Sequence, residues 1–285
     1  PQQPDIEIQL EEGYDLDALL HRLVKEHGSD LHLAVGTPPT FRIHGDLHFS
    51  QAQPLTQEHA QKILFPIIDE EKREHFESCG NLDFSYEIPG LARFRVNLYR
   101  HRSGLGAVFR PIPSKVPRLG TLGLPPVLDE LIHLDRGLVV MTGPTGSGKS
   151  TTLAALVTEM AESRPLHIMT VEDPIEFTLS GGKSLITQRE IGVHAPSFAQ
   201  ALREAPREDI HVLMVGGMRD LETVSLALEA AETGLLVLGT LHTPSAARAV
   251  TRIIDIFPAD QQEPVRLMLS DSLRAVVSQQ LVKRS

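Results

Sequence analysis

Cysteine and tryptophan are almost missing from this chain of 285 residues, which has one cysteine, Cys79, and no tryptophan. A single cysteine excludes an internal disulfide bond and any zinc site built from several cysteines, and it suits a reducing compartment. Positive charge is also scarce, because 27 Lys and Arg residues stand against 37 Asp and Glu residues, giving a formal net charge of −10. Since an acidic surface repels phosphate backbones, the sequence argues against a nucleic-acid reader unless positive charge is clustered locally.

Long apolar runs are absent as well. No stretch approaches the length that spans a bilayer, and the first ten residues lack the basic segment followed by an apolar segment that marks a signal peptide. What the chain does have is a globular balance of 41% hydrophobic and 22% charged residues. Its length is enough for two ordinary domains with a sizeable core.

The first part of the chain mixes helices with short strands. Residues 16–26 place their leucines on one helical face, and residues 57–78 indicate a helix interrupted by a proline. Residues 82–98 alternate apolar with polar side chains on either side of a Pro-Gly turn, which is the pattern of a β-hairpin. We therefore predict a smaller α+β domain over residues 1–110.

The pattern changes after residue 110. Residues 111–126 are rich in proline and predict an inter-domain linker, because proline removes backbone donors and stiffens the chain. Over residues 127–285, helical stretches alternate with continuous apolar runs, namely GLVVMTG, LHIMTVED, HVLMVGG and LLVLGT. Continuous apolar strands between helices indicate a parallel sheet covered on both faces, so the predicted fold class is α/β.

The segment GLVVMTGPTGSGKSTTLAALVTEM carries the strongest chemical signal, since an apolar strand leads through a glycine-rich loop into a helix. Glycines let such a loop turn tightly, so that its backbone N–H groups point at phosphate oxygens, and the helix N-terminus adds positive potential. Lys149 is expected to reach the β- and γ-phosphates, and the Ser150 hydroxyl is expected to ligate Mg²⁺. The predicted nucleotide-binding residues are Gly143, Pro144, Thr145, Gly146, Ser147, Gly148, Lys149, Ser150 and Thr151.

The motifs around this loop, GPTGSGKSTTLAAL, VEDPIEF, QREIG, MRDLETVSLALEAAETG and GTLHT, together resemble the secretion-ATPase superfamily, and within it the type IV pilus retraction ATPases. The N-terminal SDLHL and ARFRVN fit the same family. The resemblance implies a PAS-like N-terminal domain followed by a RecA-like P-loop ATPase domain, with ATP and Mg²⁺ as cofactors. It also implies a homo-hexameric ring that serves twitching motility, cytoplasmic but peripheral to the inner membrane, where it would meet a pilus platform protein.

The resemblance also assigns roles in catalysis. Glu172 in VEDPIEF would orient the attacking water and accept its proton, while Lys149 and Mg²⁺ hold the phosphate charge. The alternative for Glu172 is a helix cap or a solvated strand end. Asp173 and Glu176 lie nearby in the sequence and are candidates for support of the site.

Arginines and a histidine complete the site that the resemblance implies. Arg95 and Arg110 are candidates for transition-state cations, because guanidinium is always charged and bridges phosphate oxygens. Their alternative is pairing with the protein's own carboxylates. His242 would sense the γ-phosphate or relay subunit motion, and its alternative is a buried structural histidine. Further candidates are Arg93, Arg100 and Arg102 near the site, and Arg207 and Arg219 at a ring interface.

Three positions depart from the family pattern. His211 stands where an aspartate is usual, Gly217 where the Walker-B-type glutamate is usual, and Leu235 where a histidine is usual. The family pattern also continues into a further helical segment after SQQLVKRS, where this sequence stops. Two hypotheses remain open: a ring ATPase of the pilus-retraction class, or a nucleotide-binding but catalytically weak or inactive subunit that regulates an active paralogue, in a mixed ring.

Overall fold

The computed structural model describes residues 15–113 and 115–282. The chain divides into two compact units that separate between residues 114 and 115, here called the N-terminal unit and the C-terminal unit. No helix in the described ranges is both long enough and apolar enough to cross a membrane.

Over its described residues, 15–113, the N-terminal unit is a six-stranded antiparallel sheet with three α-helices. The strands lie in the order β3-β2-β1-β6-β5-β4. Its elements are α1 (Leu16–Lys25), β1 (Asp30–Ala34), β2 (Thr40–Ile43), β3 (Asp46–Phe49), α2 (Gln57–Leu64), a 3₁₀ turn (Phe65–Ile67), α3 (Glu70–Cys79), β4 (Asn81–Ile88), β5 (Ala92–His101) and β6 (Gly104–Ile112).

The core of the N-terminal unit follows the apolar pattern of the sequence. Leucines of α1 are buried on one face, and Asp15 caps the helix by accepting a hydrogen bond from the backbone N–H of Asp17. In the β4–β5 hairpin, Phe94, Val96 and Leu98 are buried, and Arg95 between them is exposed. The predicted helical interruption near residue 66 corresponds to the 3₁₀ turn between α2 and α3.

The stretch predicted as a linker is more structured than its prolines suggest. Strand β6 continues past Arg110 to Ile112, and Pro111 is its register partner to Phe94 of β5. Proline is tolerated there because the pairing of β6 with β1 ends at Phe109, so that Pro111 has a strand on only one side. Further on, Leu119 begins a 3₁₀ turn (Leu119–Thr121) and is buried in the core of the C-terminal unit.

The C-terminal unit is a six-stranded parallel sheet in the order β12-β7-β11-β10-β8-β9. After a 3₁₀ helix (Pro126–His133), its elements are β7 (Gly137–Thr142), α4 (Lys149–Ser163), β8 (His167–Glu172), β9 (Leu185–Glu190), α5 (Phe198–Glu204), a 3₁₀ turn (Ala205–Arg207), β10 (Val212–Val215), α6 (Leu221–Glu232), β11 (Leu236–Leu241), α7 (Ala246–Asp255), a 3₁₀ turn (Ala259–Gln261), α8 (Gln262–Ser272) and β12 (Leu273–Ser278).

Strands β7, β10 and β11 are buried along their whole length, which explains their continuous apolar sequences. Leu138 and Val140 of β7 pack in one hydrophobic cluster with residues of α5 to α8. Val139 and Met141 pack in another with residues of α4 and the Pro126–His133 helix. The sheet is therefore covered on both faces, and the predicted α/β fold class with a parallel sheet and a smaller α+β unit before it is confirmed.

Candidate nucleotide-binding site

The glycine-rich loop joins the end of β7 to the start of α4, and its shape requires glycine. Gly143, Gly146 and Gly148 have φ values of 146°, 77° and 90°, a region that L-amino acids rarely adopt. A Cβ atom on Gly143 would lie 2.2 Å from the backbone oxygen of Gln279, which follows β12. The loop therefore packs backbone against backbone in front of the N-terminus of α4, an arrangement that directs N–H groups at an anion.

Lys149 is the first residue of α4 and is buried. Its Nζ donates hydrogen bonds to the backbone oxygens of Gly143 and Pro144, both at 2.9 Å, so the side chain crosses the loop. Burial lowers the pKa of Lys149, and the nearby negative charge of Glu176 opposes that shift. The Oγ of Ser147 in the same loop is buried and has no hydrogen-bond partner within the described residues. A bound phosphate group would give the Ser147 hydroxyl a hydrogen-bond acceptor and the Lys149 ammonium group a negatively charged partner.

Glu172 is the last residue of β8 and is 7% exposed, so it is not a solvated strand end. Its Oε1 accepts hydrogen bonds from Thr170 Oγ1 at 2.6 Å and from Gln188 Nε2 at 3.2 Å, and its Oε2 accepts one from the Glu176 backbone N–H at 3.4 Å. Burial raises the pKa of Glu172, and these three hydrogen bonds offset only part of that rise. A carboxylate held in this way has a higher proton affinity than one in water, which suits a general base.

A small cavity of about 30 Å³ lies between Glu172 and α4, the helix that follows the glycine loop. Ser150 of α4, Glu172 and Glu176, Gly216 after β10 and Thr240 of β11 all lie on its wall. That volume holds a water molecule, because one water needs roughly 10–15 Å³ measured in this way. The structure thus places Ser150 and Glu172 on the wall of one cavity.

The donor set fits Mg²⁺ bound together with a nucleotide. Ser150 offers a hydroxyl and Glu172 a carboxylate at the same cavity, and Mg²⁺ prefers oxygen ligands. Across residues 15–113 and 115–282, no group of three or more His, Cys, Asp or Glu side chains is arranged to hold a metal alone. Mg²⁺ typically keeps several waters and binds through one or two protein groups plus substrate phosphates, so the residues present are compatible with that mode.

His242 follows β11 and is exposed, which removes the alternative of a buried structural histidine. Partial desolvation lowers its pKa, and the positive charges of Lys149 and Arg219 lower it further. Neutral imidazole is therefore favoured at physiological pH. Hydrogen bonds hold the chain on both sides of His242. Thr142 Oγ1 donates to the backbone oxygen of Thr243 at 2.6 Å, and Thr240 Oγ1 donates to the backbone oxygen of Gly216 at 2.7 Å.

The arginines predicted near the site belong to the N-terminal unit. Arg110 Nε and Nη2 donate to Asp30 Oδ1 at 2.9 and 2.7 Å, although the arginine side chain is 64% exposed. Arg95 lies opposite Arg110 in the antiparallel register and is exposed. Arg110 is thus paired with a carboxylate in the structure, which is the alternative that was considered for these arginines. Of the others, Arg93 donates to Ser85 Oγ, and the guanidinium of Arg100 lies 5.3 Å from the ring centroid of Phe76.

Several supporting residues have weak sequence signals or none. Thr170 could have been found, because it lies two residues before Glu172 in one strand and so shares its face. Gln188 is the register partner of Thr170 on β9, and register is not readable from sequence. Gln279 contacts the loop from beyond β12, where its Oε1 accepts from Thr152 Oγ1 at 3.0 Å, and no motif marks it.

The fold and site define a class. A buried parallel strand, a glycine loop crossed by a lysine, a helix N-terminus and a buried glutamate at another strand's carboxyl end are the parts of a P-loop nucleotide-binding domain.

Comparison with known proteins narrows this class. The chain belongs to the type II/IV secretion system protein family, whose model matches residues 15–285. It is 48% identical over 270 residues to the type IV pilus retraction ATPase PilT of Pseudomonas aeruginosa, covering 95% of this chain and 78% of that protein. The predicted resemblance to pilus retraction ATPases is confirmed.

Two solved structures agree with the fold. The pilus retraction motor PilT with bound ADP has a TM-score of 0.90 and 45% identity, covering 94% of this chain and 78% of that one. The ATPase DotB of Legionella pneumophila has a TM-score of 0.87 and 30% identity, covering 97% of this chain and 80% of that one. At this similarity the chain shares the architecture of known secretion ATPases.

Proposed function

We propose that the chain is one subunit of a homo-hexameric motor that hydrolyses ATP to retract a type IV pilus. The observation that carries this proposal is the buried Glu172 carboxylate, which shares a cavity with Ser150 at the start of the helix that follows the glycine loop. Close similarity to PilT supports the pilus-retraction role. We propose a cytoplasmic location, peripheral to the inner membrane, with a pilus platform protein as partner and no nucleic acid.

The loop from Gly143 to Thr151 binds the phosphates in this proposal. Its N–H groups and the N-terminus of α4 face the β- and γ-phosphates, and Lys149 exchanges its two carbonyl contacts for phosphate oxygens. The unpartnered Ser147 Oγ gains an acceptor at the same time. Mg²⁺, held by the Ser150 hydroxyl and by the phosphates, would neutralise charge on the transferring phosphoryl group.

Glu172 orients the attacking water and accepts its proton. The hydrogen bond from Thr170 fixes the carboxylate in place, and the raised pKa brings it nearer to the operating pH. His242, as neutral imidazole, is the proposed sensor of the terminal phosphate. Arg95 and Arg110 are proposed as transition-state cations that act in the assembled ring, a role in which Arg110 would exchange its bond to Asp30 for phosphate.

ATP turnover tests the proposal. We expect the wild-type protein to release phosphate in the presence of Mg²⁺ and Lys149→Ala to lose binding and turnover. The exposed Lys62 of α2 offers a matched control, Lys62→Ala, which should retain both. The molecular mass measured by sedimentation with ATP present should correspond to six chains. Wild-type turnover no higher than that of Lys149→Ala would exclude the enzymatic proposal.

The alternative is a ring subunit that binds ATP and regulates an active paralogue. One observation favours it: Gly217, after β10, offers no side chain to the site. This alternative requires tight ATP binding without turnover, and a gain of hydrolysis in Gly217→Glu. Failure of Gly217→Glu to raise the hydrolysis rate above that of wild type would exclude it.

A further inference from the structure

The QREIG motif, to which the proposed function assigns no residue role, forms the carboxyl end of β9 and the start of the turn after it. In the parallel pairing with β8, Gln188 lies opposite Thr170 and Glu190 lies opposite Glu172. Because successive side chains of a strand point to opposite faces, Gln188 and Glu190 share the face of the proposed general base. Arg189 between them faces α5, where it pairs with one carboxylate of that helix and one beyond it.

Gln188 uses both ends of its side-chain amide. Its Nε2 donates to Glu172 Oε1 at 3.2 Å and to the backbone oxygen of Phe177 at 2.9 Å, and its Oε1 accepts from the Leu179 N–H at 2.8 Å. A primary amide has two N–H donors and a carbonyl acceptor, so both donors are in use. A glutamate at this position would set an oxygen against two other oxygens. The arrangement therefore requires the chemistry of an amide.

Glu190 holds the same part of the chain at a second point. It is 2% exposed, and its Oε2 accepts from the Ile175 N–H at 3.1 Å. The next residue, Ile191, donates its N–H to the backbone oxygen of Glu172 at 2.9 Å. Burial of a carboxylate is costly unless donors satisfy it, so Glu190 and the backbone of Ile175 fix one another's positions.

The backbone that these two side chains hold is residues 173–179, which form neither helix nor strand. Five of these residues line the same cavity as Glu172, namely Asp173, Pro174, Glu176, Phe177 and Leu179. A segment without a ladder of backbone hydrogen bonds takes its shape from the groups that satisfy its N–H and C=O groups. Gln188 and Glu190 supply three of those bonds, so the wall of the cavity depends on the side chains of β9.

The two carboxylate oxygens of Glu172 are not equivalent. Oε1 accepts from Thr170 Oγ1 at 2.6 Å and from Gln188 Nε2 at 3.2 Å. Within the described residues Oε2 accepts one bond, from the Glu176 N–H at 3.4 Å, which is long for an N–H···O bond. A carboxylate offers about four lone-pair sites in total, so Oε2 is the oxygen with capacity left for a water molecule.

We infer that Gln188 and Glu190 are positioning residues for hydrolysis, which hold residues 173–179 and Oε1 of Glu172 so that Oε2 meets the attacking water. The inference rests on the proposed function, because it takes Glu172 as the general base. In the step that they position, the water oxygen bonds to the γ-phosphorus and the water's proton passes to Oε2. The bond from that phosphorus to the bridging oxygen breaks, and its electron pair stays with ADP.

Replacement of Gln188 in the full chain tests the inference through the complete profile of kcat against pH. Gln188→Met has a similar length and forms none of the three bonds. We expect kcat on the pH-independent plateau to fall about tenfold to hundredfold, with the affinity for a non-hydrolysable ATP analogue unchanged within about twofold. Gln200→Met is the matched control, because Gln200 is exposed on α5 and its replacement should leave both values unchanged.

Two further comparisons give readouts that a merely structural role would not move. Gln188→Glu brings a second carboxylate against Glu172, so the acidic limb of the profile should move to higher pH by at least about one unit, further than in Gln188→Met. Glu190→Gln keeps an oxygen acceptor for the Ile175 N–H and should retain kcat within about threefold, whereas Glu190→Met offers no oxygen and should lose about tenfold or more.

An unchanged plateau in Gln188→Met, or an acidic limb in Gln188→Glu that stays at the wild-type pH, would overturn the inference. Parallel falls in kcat and in analogue affinity would also overturn it, since they would show a general loss of the folded site. Equal activities of Glu190→Gln and Glu190→Met would exclude the role of Glu190. In each case wild-type turnover above that of Lys149→Ala persists, so the proposed function stands, whereas a wild-type chain without turnover overturns both.

Discussion

Replacement of Thr170 by valine tests how the protein tunes its proposed general base. The Oγ1 of Thr170 donates to Glu172 Oε1 at 2.6 Å, and Thr170 is fully buried. A hydrogen bond to a charged group contributes roughly 1.5–3 kcal/mol. One pKa unit corresponds to 1.36 kcal/mol, so loss of this bond amounts to about one to two units. Because Gln188 and the Glu176 N–H remain, we expect a rise of about one unit in the pKa of Glu172.

The sign of this effect is fixed by the chemistry. Glu172 acts as a base only when ionised, so turnover falls as the pH drops through its pKa. Burial has already raised that pKa, and Thr170→Val raises it further. The acidic limb of the profile of kcat against pH should therefore move to higher pH by about one unit, with little change at high pH.

A matched control exists in helix α4. The hydroxyl of Thr158 is buried and has no hydrogen-bond partner in the described residues, so Thr158→Val removes the same atoms without removing a bond to Glu172. We expect Thr158→Val to leave the acidic limb where it is. An unshifted limb in Thr170→Val, or equal shifts in both variants, would refute the assignment of Glu172 as the titrating base.

Ionisation of Glu172 also affects stability. Its pKa in the folded state is raised above the unfolded value, so its contribution to folding is fully present below the unfolded pKa and is lost as the pH rises through the folded pKa. At neutral pH the ionised, buried Glu172 therefore lowers the free energy of unfolding relative to acid pH.

Two further predictions concern stability. Gly143→Ala places a Cβ atom 2.2 Å from the Gln279 oxygen at a φ of 146°, so we expect a loss of roughly 1–3 kcal/mol in the free energy of unfolding and weaker nucleotide binding. Gly120→Ala, where nothing lies within 4 Å, is the control, and equal urea midpoints for both would contradict the packing argument. Arg110→Ala leaves the buried Asp30 with a hydrogen bond from Ser29 Oγ at 2.9 Å and with Arg42 at 3.6 Å, and we expect a loss of about 1 kcal/mol because Arg110 is largely exposed. A urea midpoint unchanged relative to wild type would show that the Asp30 pair contributes nothing to folding.

Much of the fold was predictable from apolar patterning. The four apolar residues Val212–Val215 predicted a strand, and β10 is fully buried because strands pair with both of its edges and helices cover both of its faces. The glycine loop was predictable because backbone geometry requires glycine at several of its positions, a requirement that sequence displays directly. Strand β6 beyond Arg110 was not, since proline signals normally end a strand.

The finer chemistry of the site depends on contacts between distant segments. Gln188 reaches Glu172 only because β8 and β9 pair in one register, and a shift by one residue would turn Gln188 away. The sequence marked Gly217 as a loss, since a usual acid is replaced. The structure shows how the turn at this position is held, because the Gly216 N–H donates to the Val171 oxygen of β8 at 2.8 Å. Neither relation can be read from residue types alone.

Replacement of Glu172 by glutamine most directly tests the central claim, that a buried glutamate beside a phosphate loop activates water for ATP hydrolysis. Single-turnover phosphate release should be measured with ATP and Mg²⁺ in excess protein, alongside the exposed α6 variant Glu232→Gln as control. We expect Glu172→Gln to bind ATP as tightly as wild type and to release phosphate at least about a hundredfold more slowly, the scale of general-base catalysis. Phosphate release at the wild-type rate would contradict the account.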